Sequence, residues 1–271
     1  MIDDMKKILL FALPLMVMCF AACEKDNGHD GNSGQKLVKE ITLLGDGYTE
    51  SWAYEYDAQN RIVKVLETYS ESDYYEKVEH TVEYEGNTII IASYDALDGN
   101  MELYAKEKYS LDNNGYVEKV EFTYAYQAPH TCFYNYENGL LKSMEVKHYF
   151  SDGSLSSENE YEYNWVNDDI VCKNSLKYSS KVDVQYYFDV ENRMNINVFN
   201  VLSTSMDNSD NSVIKFKGTY SEHLPKSKNY NNSSTSYSYE FDTEGYPIKW
   251  IEEVKSVSGE LFTSEYDIKY Y

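Results

Sequence analysis

The sequence predicts an all-β protein, a long antiparallel up-and-down meander of roughly 16 to 18 strands built from repeated hairpins and bent into a flattened or barrel-like single domain. Three observations predict it. A hairpin-sized phrase returns along the chain, Asp/Asn/Gly clusters punctuate it at short intervals, and aromatic residues alternate with charged or small ones between those clusters.

The phrase reads YEYDAQNRIVKV from Tyr54, YSLDNNGYVEKVEF from Tyr109 and YNYENGLLKSMEV from Tyr134. It returns as YYFDVENRMNINVF from Tyr186 and YEFDTEGYPIKWIEE from Tyr239. Each copy is an aromatic strand, a polar turn and a second, largely apolar strand. Copying one supersecondary unit signals repeated architecture rather than a catalytic constellation assembled once.

Side chains on a strand alternate between its two faces. Trp52, Tyr54 and Tyr56 share one parity, and so do Val120, Phe122, Tyr124 and Tyr126. Tyr161, Tyr163 and Trp165 line up against Glu160, Glu162 and Asn164. Ile248, Trp250 and Val254 oppose Lys249, Glu253 and Lys255, with Ile251 and Glu252 breaking the pattern. Such alternation describes antiparallel strands with one buried and one wet face. The turns between them are Asp57–Asn60, Glu85–Asn87, Asp112–Gly115, Glu137–Gly139, Asp152–Gly153 and Asp242–Gly245. There Asp and Asn bond to the local backbone, and Gly or Asn accepts positive φ. So many strands must close, fold over or expose edges. With few aliphatic bands to face lipid, the aromatics are expected inside and Glu/Lys outside.

Residues 1–22 read as a lipoprotein signal peptide. Lys6 and Lys7 precede the apolar run Ile8–Ala22, which is shorter than the about 20 residues a spanning helix needs. Asp3 and Asp4 fit poorly at such a start, and the MKKILL that begins at Met5 makes the better signal. Small residues end the run directly before Cys23 in Phe20-Ala21-Ala22-Cys23, which resembles a bacterial lipobox, so Cys23 is the expected lipidation site. Several acyl chains anchor where one would not. Residues 23–36 are Gly/Asn/Asp/Ser-rich and form a flexible tether, and 37–271 form the single Tyr-rich domain. The acidic residues after Cys23 resemble the surface-export signal of Bacteroidetes lipoproteins, which implies an outer-membrane lipoprotein facing the cell exterior.

The formal charge is −22, which repels phosphate backbones and anionic headgroups. Nucleic acid is therefore excluded as a partner, and the lipid is the expected membrane contact. Tyrosine is the compositional outlier at 29 residues against 10 Phe and 3 Trp. Its hydroxyl tolerates half-wet sites, and Tyr-rich surfaces also suit sugars and proteins.

No catalytic, cofactor or metal residues are expected. The sequence has no G-x-S-x-G elbow, H-E-x-x-H or P-loop, and histidines 29, 80, 130, 148 and 223 share no ligand spacing. Asp207-Asn208-Ser209-Asp210-Asn211 lacks the Gly bend and later Glu of a calcium loop. Trp52, Trp165 and Trp250 belong to the core parity. Cys132 shares the parity of Tyr134 and Tyr136, and Cys172 that of Ile170. In a meander, three strand steps of about 4.8 Å would separate those two thiols by about 14 Å, too far for a disulfide.

The lipobox followed by successive Y-x-Y-D-x-x-[NG]-x-[IVM] units resembles a gut-Bacteroidetes lipoprotein family of unknown function, described as having a porin-like antiparallel β fold. The units also resemble the YD repeats of bacterial toxin shells, although only Arg61 and Arg193 follow the turn here. The resemblance implies a fold and a location, and supplies no catalytic residues. The expected function is a surface-anchored, non-catalytic binding module for a glycan or host-surface ligand. The alternative is a structural or adhesion protein engaging protein partners. Aromatics clustered on loop tips at one side would favour the glycan, and a long unpaired sheet edge would favour the protein partner.

Overall fold

The computed structural model describes residues 35–96, 100–178, 180–196 and 219–271. The lipobox, Cys23 and the Asp207–Asn211 loop lie outside the described residues. Sixteen strands follow one another: β1 Val38–Leu44, β2 Tyr48–Tyr56, β3 Ile62–Glu71, β4 Tyr74–Glu85, β5 Thr88–Asp95, β6 Glu102–Leu111, β7 Val117–Tyr124 and β8 His130–Glu137. The second half comprises β9 Leu140–Tyr149, β10 Leu155–Val166, β11 Asp169–Ser175, β12 Lys181–Glu191, β13 His223–Tyr230, β14 Ser233–Phe241, β15 Pro247–Lys255 and β16 Leu261–Tyr270. Each strand pairs antiparallel with its neighbours in sequence, and β1 pairs with β16 from Val38↔Tyr270 to Leu44↔Glu265, which closes the barrel. Closure removes the edges that an open meander of this length would present.

An up-and-down barrel sorts its connections to two ends. Turns leading from even to odd strands lie at the near end, where β1 begins. Turns leading from odd to even strands lie at the far end. The near-end turns carry the repeated phrase, and their residues explain the repetition. The N–H of Asp57 donates to the carbonyl of Arg61, while its Oδ1 accepts from the N–H groups of Gln59 and Arg61, each bond 2.9 Å long. Asp112 repeats this with Asn114 and Tyr116, and Asp242 with Glu244 and Tyr246. The fourth loop residue is left-handed each time, with φ of 59° at Asn60 and 83° at both Gly115 and Gly245. That is the position for which Asn or Gly is selected.

The recurring aromatic has a second task. Near the near end of an even strand it donates a hydrogen bond to a carbonyl at the start of the preceding odd strand. Tyr56 Oη reaches Val38 O at 2.7 Å, Tyr84 reaches Ile62 O at 2.9 Å, and Trp165 Nε1 reaches Leu141 O at 2.7 Å. Tyr186, Tyr239 and Tyr270 do the same to Ile170, Pro225 and Pro247. These ties stitch the open end of each hairpin shut. Tyr136 holds the corresponding place on β8, with its ring packed on Tyr116 at a centroid distance of 4.9 Å.

The core lies inside the barrel. At the near end Val38, Ile62, Ile89, Val117, Leu141, Ile170 and Leu224 are all buried, and Met194 and Ile196 from the segment after β12 join the same core. Between them Asn195 accepts from the Val38 N–H at 2.9 Å and donates to Tyr56 Oη at 3.2 Å. The near end thus has an apolar floor. Further in, Val65, Ile91, Val120 and Val146 expose no more than 1%. Sixteen strands in a circular section would enclose a water-filled channel. Exposure that low means that side chains fill the interior around these residues.

The outer wall is charged. Cross-strand and same-strand pairs cover it, including Lys64–Glu79 at 2.8 Å, Lys119–Glu121 at 2.7 Å, Lys269–Glu40 at 3.0 Å, and Lys249–Glu265. A bilayer-spanning barrel shows lipid an apolar band. This wall shows ion pairs, with exposed apolar residues such as Phe133 and Ile248 scattered among them.

Candidate functional site

Strand parity places ionisable side chains inside the barrel as well as apolar ones, above the near-end floor. Trp52 and Glu67 are direct register partners on β2 and β3, and Glu50 lies opposite Tyr69. His80 on β4 points the same way, with Nδ1 2.9 Å from Ser93 Oγ on β5 and Nε2 3.3 Å from Glu67 Oε2. Glu107 on β6 accepts a hydrogen bond from Tyr109 Oη. Burial, reinforced by Glu67, pushes the Glu50 carboxyl up to about 8. Burial also raises Glu107, against the opposing influence of the Tyr109 hydrogen bond and of His80.

The other side of the interior is different in chemistry. Lys173 on β11, Lys228 on β13 and Glu252 on β15 face inward through their pairings with Tyr163, Val184 and Tyr237. Burial pulls both lysines down, and Glu252 partly offsets this at Lys228. The Lys173 ammonium sits over the Tyr161 ring, 3.9 Å from its centroid. Burial raises Glu252 while Lys228 opposes it. Between the two sides, His130 on β8 stacks on Phe122 at 4.1 Å and approaches His148 at 5.3 Å. Burial, then His148, lowers His130 to about 4, so it is neutral at physiological pH. Glu107, Lys228 and Glu252 are deeply enclosed by protein yet keep part of their surface accessible, as lining a chamber requires.

Inward-facing polar atoms with no protein hydrogen-bond partner among the described residues include Trp52 Nε1, Glu67 Oε1, His130 Nε2 and Asn159 Nδ2. Buried polar atoms are normally satisfied by protein or by a bound polar group.

Aromatic side chains gather at the far end. Tyr48, Tyr69 and Tyr74 stack inward from the rim, with centroids 5.7 Å and 6.0 Å apart, and Tyr69 Oη donates to Glu71 at 2.8 Å. Beneath them lie Glu50 and Glu67. The rim itself is apolar. Tyr75 is 53% exposed, Tyr126 81%, Phe150 55%, Tyr178 65% and Phe262 56%, and all lie at far-end connections. Outside the wall, Glu145, Glu158, Asn159, Glu160, Leu176 and Lys177 line a separate recess of about 510 Å³. Within it Glu145 pairs with Lys147 at 3.0 Å, and Lys177 donates to the Glu158 backbone carbonyl at 3.0 Å.

The structure corrects the sequence reading in three places. Cys172 does not share the Ile170 face: β11 shifts register between the pairs Trp165↔Ile170 and Asn164↔Cys172, which turns Cys172 outward and Lys173 inward. Cys132 and Cys172 are buried thiols outside any disulfide, and only Cys132 belongs to the core. The Ile251/Glu252 break in β15 is real, since Glu252 faces inward; Ile248 is displaced outward by the register shift near Pro247. His80 and His130, isolated in sequence, are buried inside, and His130 meets His148 across a strand pair. Trp52 and Trp250 are core residues, as expected.

Fold and site together define a closed, up-and-down antiparallel barrel with an inward core, a charged exterior, one sealed end and one aromatic-rimmed end. Two solved structures share this fold. A porin-like protein from Bacteroides uniformis ATCC 8492 superposes with a TM-score of 0.67 at 14% identity, over 86% of this chain and 98% of that one. A porin-like protein from Bacteroides vulgatus ATCC 8482 gives 0.56 at 16% identity, over 87% and 99%. No family model matches the chain, and no curated protein matches it.

Proposed function

We propose that this chain is a non-catalytic binding module, anchored through Cys23 to the outer membrane, that offers a glycan-binding mouth to the cell exterior. The observation that carries the reading is the concentration of exposed aromatics at the far end, where Tyr74, Tyr75, Tyr126, Phe150, Tyr178 and Phe262 lie, against Phe188, Phe241 and Tyr271 at the end where the chain enters β1. Aromatic faces stack on sugar rings, and Tyr adds a polar handle. Cys23 precedes Val38 by about 15 residues, a tether that reaches about 50 Å when extended. It joins at the sealed end, so the mouth points away from the anchor. The porin-like neighbours come from Bacteroides, which fits an outer-membrane setting.

The protein-partner alternative rests on exposed sheet edges or on the acidic outer face. Every strand here is paired on both sides, so edge-to-edge recognition has no purchase. The test is a glycan array probed with the purified protein and with a Tyr74→Ala/Tyr126→Ala/Tyr178→Ala variant. Binding by the parent that the variant loses is the expected result. An array with no bound glycan, or binding that survives the three substitutions, refutes the reading.

A further inference from the structure

The carboxyl-lined side of the chamber, between β2 and β6, has a chemistry of its own. We propose that it is a subsite for an amine-bearing sugar, in which Glu67 receives the ammonium group, a Glu50 carboxyl oxygen accepts beside it, and the Trp52 indole N–H donates to a neighbouring ring or hydroxyl oxygen. The assignment rests on the glycan reading of the mouth and names the sugar class that the interior selects.

The acids alone would not make a site. What points to a ligand is that Glu67, 5% exposed, leaves Oε1 without a protein partner, and that Trp52, its register partner and also 5% exposed, leaves its indole N–H in the same condition. One atom needs a donor and the other an acceptor, on the same inward face. A hydroxylated amine supplies both. Among the described residues, no Lys or Arg occupies an inward position on β1 to β6, and His80 is the single base facing these acids. An anionic ligand would find no lysine or arginine to pair with there. No group of three or more His, Cys, Asp or Glu side chains there is arranged to hold a metal ion, among the described residues. The Tyr69 ring stands directly beside Glu50 and adds an aromatic face toward which a cation is drawn. A cationic sugar passing the rim tyrosines therefore meets acceptors, one donor and an aromatic wall in a low-dielectric setting, where charge-assisted hydrogen bonds are strong.

The test is calorimetric titration of the full chain with three β-1,4-linked tetrasaccharides of one shape: the glucosamine tetramer, the N-acetylglucosamine tetramer and cellotetraose. The expected result is that the glucosamine tetramer binds at least about tenfold tighter than the other two, and that Glu67→Gln removes most of that preference. Glu50→Gln serves as the second variant, with circular dichroism confirming that each folds. Trp52 fluorescence should change on binding, and Trp52→Phe should abolish that change. If all three sugars bind within about twofold of one another, the glycan reading stands and the amine subsite is overturned. If the amine preference survives both Gln variants, the attraction belongs to the acidic exterior and the subsite is again overturned. Absence of heat from all three at millimolar concentration overturns the subsite, while the array result decides the mouth on its own.

Discussion

Glu50 makes the stability of this barrel depend on pH in a direction opposite to that of most carboxylates. Its folded-state value is about 8, against 4.5 for the ordinary group, because burial and Glu67 disfavour the charged form. Between those values the folded protein holds a proton that the unfolded chain has released. Stability contributed by this group is therefore complete below about pH 4.5 and falls as pH rises toward 8. At about 1.4 kcal/mol per unit, a gap of some 3.5 units amounts to roughly 5 kcal/mol at the upper end, a ceiling given the coupling to Glu67. Glu50→Gln keeps the neutral shape and removes the titration. Urea unfolding of both proteins at pH 5, 6, 7 and 8 should give nearly equal stability at pH 5, with the variant ahead by several kcal/mol at pH 8. Glu118→Gln on the exposed wall is the control for net charge, with an expected shift within about 0.5 kcal/mol at every pH. Parallel pH profiles for the Glu50 variant and its parent would refute the burial argument.

Further outcomes follow from other parts of the barrel. His130, held down to about 4, works in the opposite sense: its contribution is lost as pH falls from about 6.5 through 4, so His130→Phe should flatten the acid limb of the same urea profiles. Tyr84→Phe and Tyr270→Phe each delete one aromatic-to-carbonyl tie, and should cost about 1 kcal/mol apiece and add in the double variant, lowering the melting temperature by several degrees. Gly115→Ala forces a β-carbon onto a φ of 83° and should destabilise by about 1 kcal/mol or more in thermal melts, whereas Asn60→Gly should be near neutral. Neither Cys132 nor Cys172 should react with a water-soluble thiol reagent until denaturant is added, since Cys132 is 0% and Cys172 6% exposed.

Much of the fold was legible because the repeat carries its own structural reasons. Asp57, Asp112 and Asp242 announce a loop that the backbone then builds three times, and the parity of Trp52, Tyr54 and Tyr56 gives the inner face directly. The rim could also have been read, because in a meander alternate turns share an end and Tyr74, Tyr126, Phe150 and Tyr178 all fall beside the same set. What sequence could not give was the effect of register shifts. A single shift in β11 exchanges Cys172 for Lys173 at the inner face, and no periodicity argument locates it. Glu252 did leave a signal, as an interruption of alternation, though a break of that kind does not say which residue turns inward. The pairing of Glu67 with His80, or of His130 with His148, depends on hairpin lengths that set which residues stand opposite one another. Those lengths become readable only when each turn is known to the residue.

The pairing of β1 with β16 has a topological consequence. The described part of the chain behaves as a ring of eight hairpins interrupted at one place, and the interruption falls at a seam that is hydrogen-bonded like any other. The seam need not be where it is. A permuted chain that starts at β3 and runs through a short linker from Tyr271 back to Leu37, whose carbonyl already accepts from the Tyr271 N–H at 3.0 Å, would keep every strand pairing while moving its free ends to the turn between β2 and β3. Deleting one hairpin, in contrast, leaves fourteen strands that must meet around a smaller ring or else present two bare edges that invite association between copies. The order of the strands in the chain is thus negotiable, and their number is not.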